Sequence, residues 1–265
     1  MKKILPLLVL MLLACGVSFA DDSRDIPAFV DGYVQSLETL KPGLLDVYEF
    51  IDTHDIWSMK DDPGYVLPPS DIPIFQDSLQ NFNKDIVLAI GKIEPYLTSE
   101  NESIRSTARG VKEICEGFAL ENEKSINELG AFLAGPAETE GGETGAEEAS
   151  DEEAVYENLR KTEYEVENRI GSFNSSLYHA SEAVAEAVQK MYPPDDPSVT
   201  YPEPERTDIL TRLEILAGDR VPLTVLEGTH FQNALWPLYE ALGGAAIEEP
   251  KQESQGKEIT VIGGK

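Results

Sequence analysis

From Phe75 onward, the apolar residues of this chain fall as Phe75, Leu79, Phe82, Ile86, Ile90, Ile93 and Leu97, in alternating steps of four and three. A half-buried strand would repeat every second residue. This spacing instead marks one stripe of a helix that packs lengthwise on other helices. A second stripe follows: Ile104, Ala108, Val111, Cys115, Phe118, Asn122, Ile126, Leu129 and Leu133. The polar link 98–102 between the two is short, which predicts antiparallel neighbours. A third runs through Leu159, Val166, Ile170, Phe173, Leu177, Val184, Val188 and Met191, with Glu163 and Ala180 or Ser181 in register. Unbroken to Tyr192, that helix would be about 60 Å long at ~1.5 Å per residue. The predicted fold is all-α: an elongated antiparallel helical bundle with heptad-like seams.

The first twenty residues are of another kind. Lys2 and Lys3 precede an apolar run, Ile4 to Ala14, broken by Pro6, and Ser18-Phe19-Ala20 ends in small residues before Asp21. This is the pattern of a secretory signal, and the run is shorter than the ~20 apolar residues a spanning helix needs. The expectation is an exported protein, periplasmic or extracellular, with no transmembrane segment. Within the signal, Leu12-Leu13-Ala14-Cys15 resembles the lipobox of bacterial lipoproteins. That resemblance implies lipidation of Cys15 and a membrane-tethered protein.

Between the signal and the seams, Asp25 and Pro27 read as the start of a helix through Phe29, Val30, Tyr33, Val34, Leu37 and Leu40. Pro42-Gly43 predicts its end, and Leu44 to Ile51 a second helix. Residues 135–153 hold Gly141-Gly142 and many Glu and Ala, with neither cation nor aromatic, and are predicted to be a disordered, self-repelling linker. Ser150 and Glu153 have capping-box spacing for the helix after it. Pro193-Pro194 ends that helix. A further one starts near Thr207, and a last one covers Pro222 to Leu242, closed by Gly243-Gly244. The predicted organisation is a signal over 1–20, a first half-bundle over 21–134, the linker over 135–153, a second half over 154–243 and a disordered tail over 244–265.

The chain carries 49 acidic and 21 basic side chains, a formal charge of −28. Loss of Lys2 and Lys3 with the signal would take this to −30. Such a charge repels nucleic acid and anionic membranes and suits a cationic partner. Beyond Cys15 only Cys115 remains, so no intramolecular disulfide is expected, and Cys115 reads as a buried thiol within its helical seam.

Few residues suggest chemistry. Glu227-Gly228-Thr229-His230 matches Glu-x-x-His, whose spacing puts two metal ligands on one helical face, but a carboxylate-bridged site needs a second copy. Of the other histidines, His54 stands alone, and His179 precedes Glu182 in the reverse order. Asp61-Asp62 and Asp195-Asp196 lie in loops without the spacing of a calcium loop. Asn101-Glu102-Ser103 and Asn174-Ser175-Ser176 are glycosylation sequons, of which Asn101 lies in a turn and Asn174 inside a long helix. No phosphate loop, nucleophile elbow, zinc motif or haem-attachment motif is present in the sequence. The expected function is therefore non-enzymatic: an envelope binding or protein-interaction module without a cofactor, capable of homo-oligomerisation through a leftover apolar stripe. The alternative is a ligand- or metal-binding bundle using Glu227 and His230.

Overall fold

Six α-helices hold most of the residues that the computed structural model describes, which are 19–54, 67–134, 148–218 and 230–244. They are α1 (Phe19–Thr53), α2 (Ile72–Ile93), α3 (Glu102–Ala134), α4 (Glu148–Met191), α5 (Glu203–Gly218) and α6 (His230–Ala241). A 3-10 turn, Glu94–Thr98, follows α2. The described residues contain no strand, and the class is all-α.

Cross-helix contacts fix the directions. Between α1 and α2, Phe50 stacks on Phe75 at 4.5 Å, Gly43 meets Phe82, and Gly32 meets Tyr96, so the two run in opposite senses. Between α2 and α3, Gln76 donates to the Ile126 carbonyl at 2.7 Å and Asn83 to that of Ala119 at 3.2 Å. Between α3 and α4, Thr162 donates to Glu128 at 3.3 Å, and Phe118 lies 4.4 Å from Phe173. The ring closes where α1 touches α4: Tyr33 and Ser181 share a hydrogen bond of 2.8 Å, and Asn174 donates to the Tyr48 hydroxyl. Helix α5 lies along α1, where Arg212 forks onto the Glu38 carboxylate through two 2.7 Å bonds. Helix α6 packs on α4 and α5, and Tyr239 donates to Glu214 at 2.8 Å.

The seams account for the core. On α2, Phe75, Leu79, Phe82, Ile86 and Ile93 are buried, while Ile90 and Leu97 are partly covered. On α3 the buried stripe is Ile104, Ala108, Val111, Cys115, Phe118, Asn122 and Leu129, and Leu133 is exposed. Helix α4 supplies Val166, Ile170, Phe173, Leu177, Val184 and Val188. Phe82, Phe118 and Phe173 bring α2, α3 and α4 together in one three-ring cluster with centroids 4.4–5.7 Å apart. Aromatic groups favour such tilted and edge-on pairs.

Some boundaries differ from the sequence-based expectation. The predicted break at Pro42-Gly43 is absent: α1 continues through both residues. Proline removes a helix donor, but Gly43 donates its amide to Asp85 Oδ2 at 3.0 Å, so α2 supplies a partner at the weak point. Helix α4 begins at Glu148, inside the segment expected to be linker, and the rest of that segment, 135–147, lies outside the described residues. The last helix is described only from His230, and the predicted tail lies outside apart from Gly244. The stop at Gly243-Gly244 is as expected. Gly243 has φ +77°, its amide donates to the Glu240 carbonyl, and the Gly244 amide donates to that of Tyr239. Those two bonds are a Schellman cap.

Candidate functional site

A groove of about 450 Å³ lies along the outer junction of α3 and α4. Its α3 wall is the flank of the buried stripe: Glu113, Ile114, Gly117, Phe118 and Glu121. These recur at three- and four-residue steps and so share one face. Its α4 wall runs from Glu165 to Ser176 with the same periodicity. Gly117 borders the groove without adding a side chain to it. A Cβ built there meets nothing within 4 Å. Phe118 and Phe173 form its apolar floor.

The cation at one end is already engaged. Arg169 is only 15% exposed; it donates to Glu165 at 2.8 Å, to the Glu121 carbonyl at 3.1 Å and to Ser125 Oγ. It also lies 3.6 Å from the Glu121 carboxylate. This guanidinium ties α3 to α4 and answers two carboxylates. Charge-assisted bonds of this kind are the stronger ones. No such cation faces Glu113 among the groove's lining residues, where Arg169 is the sole basic side chain.

The two serines of the α4 wall have spent their hydroxyl donors, and Asn168 has used one of its two N–H groups. Ser172 Oγ donates to the Asn168 carbonyl at 3.0 Å, and Ser176 Oγ to the Ser172 carbonyl at 2.9 Å. Asn168 Nδ2 donates to the Tyr164 carbonyl at 2.9 Å. A hydroxyl has one hydrogen and two lone pairs, so both serines are left facing outward as acceptors.

Among the described residues, the histidines singled out in the sequence lie on different elements: His54 follows α1, His179 is within α4 and His230 opens α6. Cys15 and Glu227 lie outside the described residues, as do Asp61, Asp62, Trp57 and Tyr65. His230 is the first residue of α6. Asn101 caps α3: its Oδ1 accepts from the amides of Ser103 at 3.0 Å and Ile104 at 3.3 Å, the work of an N-cap. Asn174 is buried against Tyr48, which removes it from any surface chemistry. His54 Nδ1 donates to the Phe50 carbonyl at 2.8 Å, and its Nε2 lies 3.3 Å from Asp71 Oδ2, joining the end of α1 to the start of α2. His179 pairs with Glu182 on the exposed face of α4 at 2.9 Å. Asp196 accepts from the Ser198 amide and hydroxyl, a local turn whose hydrogen bonds lower its carboxyl pKa. Trp236 and Tyr239 lie 5.9 Å apart near the end of α6.

Cys115 is fully buried, and burial pushes its thiol up to about 12. Such a thiol is not a nucleophile at neutral pH. Burial likewise raises Tyr33 and Tyr48 above the ordinary tyrosine value, against the lowering effect of their bonds to Ser181 and Asn174. Among the described residues no group of three or more His, Cys, Asp or Glu is placed to hold a metal, and no helix is long and apolar enough to cross a membrane.

Comparison of the chain with family models, curated proteins and solved structures gives no match. The groove was not foreseen from sequence. Its one local signal is Gly117, a small residue beside the core residue Phe118, in a helix that also carries Gly110 and Gly130.

Proposed function

We propose that this chain is an exported, non-enzymatic interaction module that engages a cationic partner through its acidic helix faces. One observation carries the reading: several of the bundle's basic side chains are paired with its own carboxylates, while many further carboxylates are exposed. Arg212 is held by Glu38, Asp31 and Asp208; Arg169 by Glu165 and Glu121; Arg105 by Glu102; Arg206 by Glu203; Lys112 by Glu116. Along α3, Glu113, Glu116, Glu121, Glu123 and Glu128 are exposed. Summed over a chain of formal charge −28, this makes a field that draws cations and speeds their encounter. The signal-like start supports export, to the periplasm or outside the cell, and the Cys15 lipobox supports a tether.

Purification of the tagged chain from its own source at low salt tests the reading. The expected result is a chain starting at Asp21, or at a lipidated Cys15, with a lysine- or arginine-rich partner released by 0.5 M salt, a level on the order that collapses the Debye length to a few ångströms. A chain still bearing Met1, or one free of partner at every salt concentration, overturns it. The spacing of Glu227 and His230 supports the alternative, a metal-binding bundle, and stoichiometric metal that is lost in His230→Ala would select it.

A further inference from the structure

The α3–α4 groove has a shape and chemistry that the overall charge does not supply. We propose that it is a binding site for a primary alkyl- or arylalkyl-ammonium, with the hydrocarbon on the phenylalanine floor and the ammonium beside Glu113. The proposal takes its sign of charge from the cationic-partner reading above and adds a site and a ligand class.

Three observations converge. The first is space. The groove measures about 450 Å³, within the ~300–1,000 Å³ typical of small-molecule sites, and its floor of Phe118 and Phe173 is apolar. The second is polarity. Three carboxylates, Glu113, Glu121 and Glu165, line it against one guanidinium, and Arg169 is committed to the latter two. The antiparallel register sets Phe118 against Phe173 and Ser125 against Arg169, so Glu113 lies toward the opposite end, near Ser176. Two carboxylates share one guanidinium at the Arg169 end, and Glu113 has no cation among the lining residues at the other, which gives the site a direction.

The third is hydrogen-bond sense. Ser172 and Ser176 have each given their hydroxyl hydrogen to a backbone carbonyl, and Glu113 is acceptor-only when ionised. The Glu113 end thus offers acceptors. It suits a group bearing several N–H donors and gives a carboxylate or an ether nothing to bind. A quaternary ammonium has the charge without the donors, and an alcohol has a donor without the charge.

Isothermal titration of the full chain with n-octylammonium, octyltrimethylammonium and octanoate, each below its micelle concentration, tests the site. The expected result is one octylammonium per chain, binding of octyltrimethylammonium at least tenfold weaker, and no binding of octanoate. Gly117→Leu places a side chain in the open groove without altering charge, and should abolish the one-site isotherm while leaving the circular dichroism spectrum unchanged. Glu113→Gln should weaken octylammonium at least fivefold. Equal binding by Gly117→Leu would assign the cation to the general acidic surface and overturn the site, as would octanoate binding as well as octylammonium. If no octylammonium binds but a basic partner is still released by salt from the purified chain, the groove proposal fails and the interaction reading stands.

Discussion

Helices α1 and α2 meet through glycine, whereas the glycine beside the α3–α4 groove meets no other helix. At Gly43 a Cβ would lie 2.8 Å from the Phe82 Cα and 2.6 Å from Asp85 Oδ2; at Gly32 it would lie 2.7 Å from the Tyr96 ring. There glycine lets two backbones close. At Gly117, which borders the groove, a Cβ would touch nothing within 4 Å. The residue type predicts neither outcome. What decides is whether the neighbouring helix has a backbone atom or empty space opposite.

The hardest test of this contrast is Gly43→Ala. The obstacle is partly the Phe82 backbone, which cannot turn aside as a flexible side chain does. Overpacking of this kind costs about 3 kcal/mol, read as a lower urea midpoint. A loss below ~0.5 kcal/mol would show that α1 and α2 are not in close contact there.

Next in size is an alkaline effect centred on Cys115, two residues from Gly117. The thiol keeps its proton to about 12 in the fold, against 9.0 for an ordinary thiol. A folded pKa raised in this way stabilises fully below the unfolded value and is lost as pH rises toward the folded one. Unfolding free energy should therefore fall by about 1.4 kcal/mol per pH unit between roughly pH 9 and 12 on this account. Cys115→Ala should reduce that slope, most clearly between about pH 9 and 10, before the buried Tyr33 and Tyr48 add to it. The native thiol should also resist a thiol reagent at pH 8, whereas rapid labelling would mean that the opening beside Gly117 reaches the core.

Gly32→Ala should cost less than Gly43→Ala, about 1 kcal/mol, because the nearest obstacle is the Tyr96 ring, although the Lys92 carbonyl at 3.1 Å limits the relief. Gly117→Ala should go the other way and stabilise by about 0.5–1 kcal/mol, since alanine is the better helix former and meets no clash. Destabilisation there would put a hidden contact in the groove. The smallest effect is at Asp85, whose carboxyl is raised, mainly by burial, with the Gly43 amide opposing and Asp46 adding to the rise. The folded state thus favours the protonated acid, a contribution lost as pH rises through the folded value. Asp85→Asn keeps an acceptor for the Gly43 amide and should stabilise by a few tenths of a kcal/mol at pH 7, a gain that disappears below the ordinary aspartate range near pH ~4.

Much of the architecture was legible in the order of residues. The stripes through Phe75, Val111 and Phe173 repeat at helical steps, and burial of such a stripe is what makes a marginal helix stable. Helix α2 ends at Ile93, and Pro95, which has no amide to continue it, lies in the 3-10 turn Glu94–Thr98. Pro42-Gly43 misled because local rules count the lost helix donor and cannot count Asp85, forty-two residues away, which accepts the Gly43 amide. Asn101 looked like a sequon, yet its carboxamide oxygen closes the first turn of α3. The candidate site was the least legible part. Its walls come from two helices set in register by Arg169, which no spacing motif records.

The sequence by itself determined the helical class, the long seams and the acidic balance, because periodicity and charge belong to the chain at every residue. Only the tertiary structure decided that α1 runs on through Pro42, that Arg169 and Arg212 tie helices together, and which glycine lies against another helix and which faces open space. Those outcomes depend on what another helix places opposite, and contacts between distant residues are energies of the assembled bundle rather than of any one segment.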